Sequence, residues 1–227
     1  AVVAGGSLVG VIAGETIGLV QAGTFSQATV GSGLAVTIND SLTNNAAGNY
    51  VLTQPTGFTA NITPKELTVT GTTVANKTYD GTTTATITGG TLVGKVGSDV
   101  VNLTQAGSFA QASVGSGIAV TIADTISGAA SANYYLTQPT GLSADITAKS
   151  LTISGAAAAN KVYDATTVAS MTGTLNGVIS GDSANVTLIS AGNFSQANVG
   201  TGLAVTASYA ITGSAAGNYV LTQPTGL

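Results

Sequence analysis

Two short stretches hold the residues best able to do chemistry: Lys77-Thr78-Tyr79-Asp80-Gly81 and Lys161-Val162-Tyr163-Asp164-Ala165. Each sets a carboxylate beside an aromatic ring and three residues after a lysine. A carboxylate against a ring can hold a sugar or a cation. The same residues also have a structural use, since an aspartate at a turn accepts hydrogen bonds from the backbone N–H groups just beyond it while the tyrosine packs. Lys77, an asparagine such as Asn133, and Asp80 further supply the three parts of an intramolecular Lys–Asn crosslink, closed with loss of ammonia beside a buried carboxylate. A surface Lys–Asp pair worth ~0–1 kcal/mol is the plainer account of that spacing. In the second stretch Ala165 replaces the glycine, so the turn there is expected not to need φ > 0.

Other chemistries lack their residues. The chain has no His, no Cys and no Trp, and its five basic residues are all lysines. Zinc and haem therefore have no ligands of the usual kind. The nine acidic residues are scattered singly, without the D-x-D spacing of an oxygen-rich calcium loop and without a pair suited to general acid–base work. Gly-x-Gly at Gly31, Gly115 and Gly200 falls between strand-like stretches, which is not the setting of a phosphate-binding loop. Asn61 and Asn102 begin N-x-[ST] triplets, as chance provides in a chain this rich in Asn and Thr. No enzymatic activity, cofactor or metal is expected.

Only 6% of residues are charged, against ~25% in typical domains, and the net charge is −4. Nucleic acid is a poor partner for such a chain, because phosphate binding needs clustered Lys or Arg. Mean hydropathy is +0.41, yet Thr, Ser or Gly interrupts every apolar run well short of the ~20 residues of a membrane helix, so no transmembrane segment is expected. With 44% hydrophobic residues and regular β-branched alternation, the chain should be ordered and β-rich rather than disordered. Scarce basic residues also leave few sites for Lys- or Arg-directed proteases, which suits an exposed, extracellular life.

The elements that position these residues read as short strands. From Leu67, LTVTG alternates with a period of two, and GIAVTIADTI sets Ile118, Val120 and Ile122 on one face against Ala119, Thr121 and Ala123. Asp80-Gly81 reads as a turn or bulge. Tyr50, Tyr134 and Tyr219 each follow Asn and open an apolar strand, an arrangement like the corner in which a tyrosine hydroxyl ties a loop back to a sandwich strand. Pro55, Pro139 and Pro224 end those strands, each in LTQPTG. About six or seven strands per unit, with turn signals every ~8–12 residues and no amphipathic helix, make a sandwich the expected fold. The alternative is a β-grasp, which requires a helix across a sheet.

All of this recurs. Phe25, Phe109 and Phe194 lie 84 and 85 residues apart. That period exceeds the ~20–50 residues of a solenoid unit and suits a small domain. The expected organisation is a partial repeat lacking its first strands at 1–63, a complete repeat at 64–147, and a repeat lacking its last strand at 148–227, as in a window on a longer array. The joints around Pro64 and Ala148 contain no Gly/Ser spacer and are expected to be stiff.

KTYDGTTTATI from Lys77 and KVYDATTVASM from Lys161, joined to NYxLTQPTG and ADIT-K-LT, resemble the YDG domain. That module occurs in tandem in very large bacterial surface and secreted proteins, including filamentous-haemagglutinin-like adhesins. The resemblance covers essentially the whole chain. It implies an extracellular or cell-surface, β-rich repeat protein rather than an enzyme.

The expected fold class is all-β, as tandem immunoglobulin-like β-sandwich repeats of about 85 residues. The expected function is a structural segment of the stalk or fibre of a large adhesin, extracellular filament or biofilm matrix. Its expected partners are further copies of the repeat in cis, with homotypic strand-addition contacts in trans, favoured by Thr/Val-rich edges with few charges. Adhesion to a glycan or a host surface is the alternative, with only 5% aromatic residues to stack on sugars.

Overall fold

A computed structural model describes residues 1–44 and 46–224. The last two residues of the third LTQPTG and Leu227 therefore lie outside the described residues. The chain is all-β, built as tandem β-sandwich-like repeats, and its helical turns among the described residues are short 3-10 segments. A β-grasp needs an α-helix, so that alternative falls away.

Two compact units cut across the sequence repeats. The first comprises residues 1–68, 93–102 and 126–137. Its main sheet centres on Gly31–Ile38, flanked antiparallel by Gly23–Phe25 and Phe58–Ile62. Lys65–Thr70 also runs parallel to Tyr134–Thr137, with Leu67 opposite Leu136. Leu67 is fully buried.

The second unit comprises residues 69–92, 103–125 and 138–227. A five-stranded sheet runs in the order Lys77–Thr78, Leu142–Thr147, Gly115–Ile122, Gly107–Phe109, Thr84–Ala85. Ile118, Val120 and Ile122 are buried and Ala119, Thr121 and Ala123 exposed, as the alternation predicts. A second sheet holds Met171–Asn176, Lys149–Ala158 and Tyr219–Leu221, and a third holds Val168–Ala169, Thr187–Phe194 and Val205–Thr212. Only Ala148 separates Leu142–Thr147 from Lys149–Ala158, yet the two strands belong to different sheets. A single apolar cluster spans that joint, including Phe109, Ile118 and Ile146 on one side and Leu151, Val186 and Tyr219 on the other.

Between Lys65 and Thr147 the described residues form twelve strands rather than six or seven. Glycine bulges and two-residue arms divide what reads as continuous alternation. The G-S-G motif is one such device. At Gly31–Leu34 and Gly115–Ile118 the ladder shifts register, with Gly33 at φ 62° and Gly117 at φ 60°. These are bulges in which a glycine takes a left-handed backbone.

Candidate functional site

The YDG turn is closed on itself. Asp80 Oδ1 accepts from Thr82 N and Thr82 Oγ1, both at 2.8 Å, which is an Asx-turn. Lys77 Nζ lies 2.7 Å from the same oxygen and donates to the carbonyls of Thr82 and Thr84 at 2.9 and 3.1 Å. Its ammonium also sits 5.8 Å from the Phe109 ring centroid. Gly81 takes φ 77°. The Lys161–Asp164 turn repeats this with the same 2.7 Å ion pair, Thr166 N at 2.9 Å, and Lys161 over Phe194 at 5.8 Å. In both turns the lysine ammonium pairs with the carboxylate through the same Oδ1 that closes the turn.

Ala165 overturns the expectation of an ordinary backbone at the second turn: it takes φ 62°. Three hydrogen bonds to Asp164 hold the turn's shape, so the alanine is forced into the left-handed region that glycine occupies in the first copy. Left-handed backbone costs an L-residue about 1–2 kcal/mol. Ala165→Gly is therefore expected to raise stability by about 1 kcal/mol despite the larger entropy loss of glycine, measurable by urea unfolding.

The lysine hydrogen bond, with help from Thr82, lowers the Asp80 pKa from 3.8 to about 2. Asp164 is likewise lowered to about 2, first by Lys161. A depressed carboxylate adds stability that is present above its unfolded value and lost as pH falls through the folded one. Thermal unfolding midpoints are thus expected to hold down to about pH 4 and to drop between about pH 4 and 2. Both carboxylates are half exposed, so the drop should be modest and reduced further by salt.

The recurring tyrosines form a second constellation. Each follows a 3-10 turn, at Ala47–Asn49, Ser131–Asn133 and Ala216–Asn218, that aims the ring back across the fold. The Tyr134 hydroxyl accepts from Val96 N at 2.9 Å and donates to Asp99 Oδ2 at 2.6 Å. The Tyr219 hydroxyl accepts from Ile179 N at 3.2 Å and donates to Asp182 Oδ2 at 2.7 Å. The Tyr50 hydroxyl accepts from Ile12 N and donates to Glu15. Tyrosine, backbone N–H and carboxylate thus form a clasp that occurs three times among the described residues. The tie of tyrosine to loop was readable in advance. The acid partners were not, although one stands 35, 35 and 37 residues before its tyrosine.

In the second compact unit the two constellations meet. The Tyr79 hydroxyl donates to Asp182 Oδ2 at 2.8 Å, so one carboxylate oxygen accepts from both Tyr79 and Tyr219. The two rings pack edge to face at 5.4 Å. Burial, then the bond to Asp182, pushes the Tyr219 pKa up to about 12 and raises that of Tyr79. The bonds to Asp99 and Glu15 raise those of Tyr134 and Tyr50. A second bridge lies nearby, where Asn218 Oδ1 accepts from Val114 N at 3.0 Å. In the first unit Asn133 Oδ1 accepts from Val30 N at the same distance. Tyr163, the counterpart of Tyr79, is 60% exposed.

The glutamine of LTQPTG also has a place. Gln54 and Gln138 each donate from Nε2 to the carbonyl, and accept at Oε1 from the N–H, of Asp40 and Asp124 respectively. Gln223 does the same for Tyr209. The side-chain amide thus continues the pairing at the point where Pro55, Pro139 and Pro224, lacking an N–H, cannot. These glutamines were not singled out by sequence, although the invariant Gln-Pro pairing in three copies was the available signal.

No curated protein and no solved structure matches the chain. The model of the YDG domain matches three times in tandem, over residues 1–57, 63–141 and 147–226. With its YDG turns, clasps and Gln-Pro ends falling inside those matches, the chain belongs to the YDG domain family.

Proposed function

We propose that this chain is a structural, non-catalytic segment of the rod-like stalk or fibre of a large secreted or surface-bound bacterial adhesin or extracellular filament. The reading rests on the joint. Within one compact unit, the Tyr79–Asp182 and Val114–Asn218 bonds and the cluster from Phe109 to Tyr219 tie successive repeats together without a spacer. A continuous core across a repeat boundary serves a spacer that must keep its span, and a freely jointed linker does not. The YDG turns, each closed through Oδ1 of its aspartate by its own lysine and threonine, support a scaffolding role for the repeated motif.

The same reading includes contacts in trans by strand addition, which sparse charge leaves unguarded. Small-angle scattering on the chain should give a pair-distance distribution without inter-repeat flexibility. A profile of independently tumbling modules would overturn the stalk, and a strictly monomeric sedimentation trace at high concentration would overturn the trans contacts.

A further inference from the structure

The turn at Tyr79–Gly81 reaches the next repeat at two points. One is the Tyr79 hydroxyl, which donates to Asp182. The other is Gly81, whose open side faces Ile179: a Cβ built on Gly81 would stand 2.6 Å from Ile179 Cδ1. Carbon atoms in contact stay about 3.5–4.0 Å apart, so glycine serves here for space as well as for its φ of 77°. The backbone alone does not demand it. Ala165 takes φ 62° in the equivalent turn, held there by the bonds from Thr166 to Asp164.

Neither side of this contact gives way easily. The Tyr79 N–H donates to the Thr147 carbonyl at 2.8 Å and Asp80 closes the turn, so the turn cannot back off without drawing Tyr79 from Asp182. Opposite, the Ile179 N–H donates to the Tyr219 hydroxyl at 3.2 Å, and the Ile179 carbonyl accepts from Asp182 N at 3.0 Å. Ile179 also packs against the apolar cluster that spans the boundary. A β-branched residue is stiff at χ1, so relief is left to rotation of the terminal methyl about χ2.

The second repeat has a different residue at the place of Ile179. There the N–H that donates to the clasp tyrosine, Tyr134, belongs to Val96. Valine ends one carbon short of isoleucine and lacks the methyl that meets Gly81. The chain thus carries two sizes at each position: Gly81 or Ala165 in the turn, and Ile179 or Val96 on the face equivalent to the one that receives it.

We propose that Gly81 and Ile179 form a size filter that decides which YDG repeat docks on which. The partner is a neighbouring YDG repeat. The face of Ile179, Asp182 and Tyr219 takes a turn reading Tyr-Asp-Gly and excludes one reading Tyr-Asp-Ala, whereas a face with valine in place of Ile179 has room for either. The bond from the turn's tyrosine to Asp182 discriminates nothing, since both turns carry that tyrosine. Selectivity comes from the clash an alanine would make.

The filter rests on the stalk reading, in which successive repeats dock in one fixed way, and the experiment separates the two. Four full chains are compared by urea unfolding: unaltered, Gly81→Ala, Ile179→Val and the double variant. Gly81→Ala should lower the folding equilibrium constant in both backgrounds because of its φ, but by a factor about tenfold smaller in the Ile179→Val background. Factors equal within about twofold overturn the filter. Amide exchange at Val114, taken as a ratio to the core amide of Val120, reads the joint itself, because Asn218 holds the Val114 N–H at another point of the boundary. That ratio should rise in Gly81→Ala and return toward the unaltered value in the double variant. A ratio unmoved by Gly81→Ala marks strain confined to the turn and overturns the filter as well. Coupling in a chain whose scattering shows independently tumbling modules keeps the filter and removes the stalk; additive factors with rigid scattering do the reverse.

Discussion

Asp182→Ala is expected to destabilise the second compact unit by about 3–5 kcal/mol, more than the corresponding change at either of the other clasps. One oxygen of Asp182 accepts from two tyrosine hydroxyls, on Tyr79 and Tyr219, and both rings are buried. A hydrogen bond to a charged group contributes about 1.5–3 kcal/mol, and removing the acceptor leaves both donors unsatisfied. Among the described residues the Asp99 carboxylate accepts only from Tyr134, so Asp99→Ala should cost about 2 kcal/mol. Urea unfolding of the two variants tests the ordering. Equal losses would mean that the Tyr79 bond contributes nothing.

The clasp also sets an alkaline limit. A tyrosine whose pKa is raised by folding stabilises fully below its unfolded value and loses that contribution as pH rises through the folded one. For Tyr219 the window runs from 10.0 to about 12. Ultraviolet titration should show phenolate appearing late in the folded chain. In Asp182→Ala the titration should begin earlier but still above 10.0, since burial, the larger cause, remains while the bond that disfavours ionisation has gone.

Leu151→Ala is the second large effect, at about 3–4 kcal/mol. Leu151 is fully buried, opposite Leu221 in a parallel pair and within the cluster that spans Ala148. Loss of the side chain leaves a cavity that neighbours fixed in two different sheets cannot readily close. Because the cluster joins both sides of the repeat boundary, the lost stability should appear in one cooperative transition covering residues on both sides. Exchange rates at Ile118 and at Val186 should rise together. A rise at Val186 alone would mean that the repeats unfold separately.

How far these features could be read in advance follows the distance over which each is decided. Ile118, Val120 and Ile122 declared their face through alternation, which is a local property. Asp80 declared its turn because its partner, Thr82, is two residues away. Tyr134 declared a tie through its position after a turn, but its acid lies 35 residues upstream. The Tyr79–Asp182 bond spans 103 residues and depends on how two repeats meet, which no local pattern encodes. Ala165 misled because side-chain bonds to Asp164 override the backbone preference of the residue between them. The glutamines of LTQPTG passed unnoticed because a side chain standing in for a strand residue leaves no trace in periodicity.

The parallel pairing of Lys149–Ala158 with Tyr219–Leu221 has a mechanical consequence. Lys149 lies opposite Tyr219 and Leu151 opposite Leu221, so a strand near the repeat's start runs alongside one near its end, in the same direction. Tension applied to the chain on either side of the repeat pulls the first strand backward and the last strand forward along their shared axis. The bonds between them are then loaded in shear and must yield together, whereas an antiparallel hairpin pulled from its open end gives way one bond at a time. A repeat closed in this way resists stretching most along the direction in which the chain itself would transmit force.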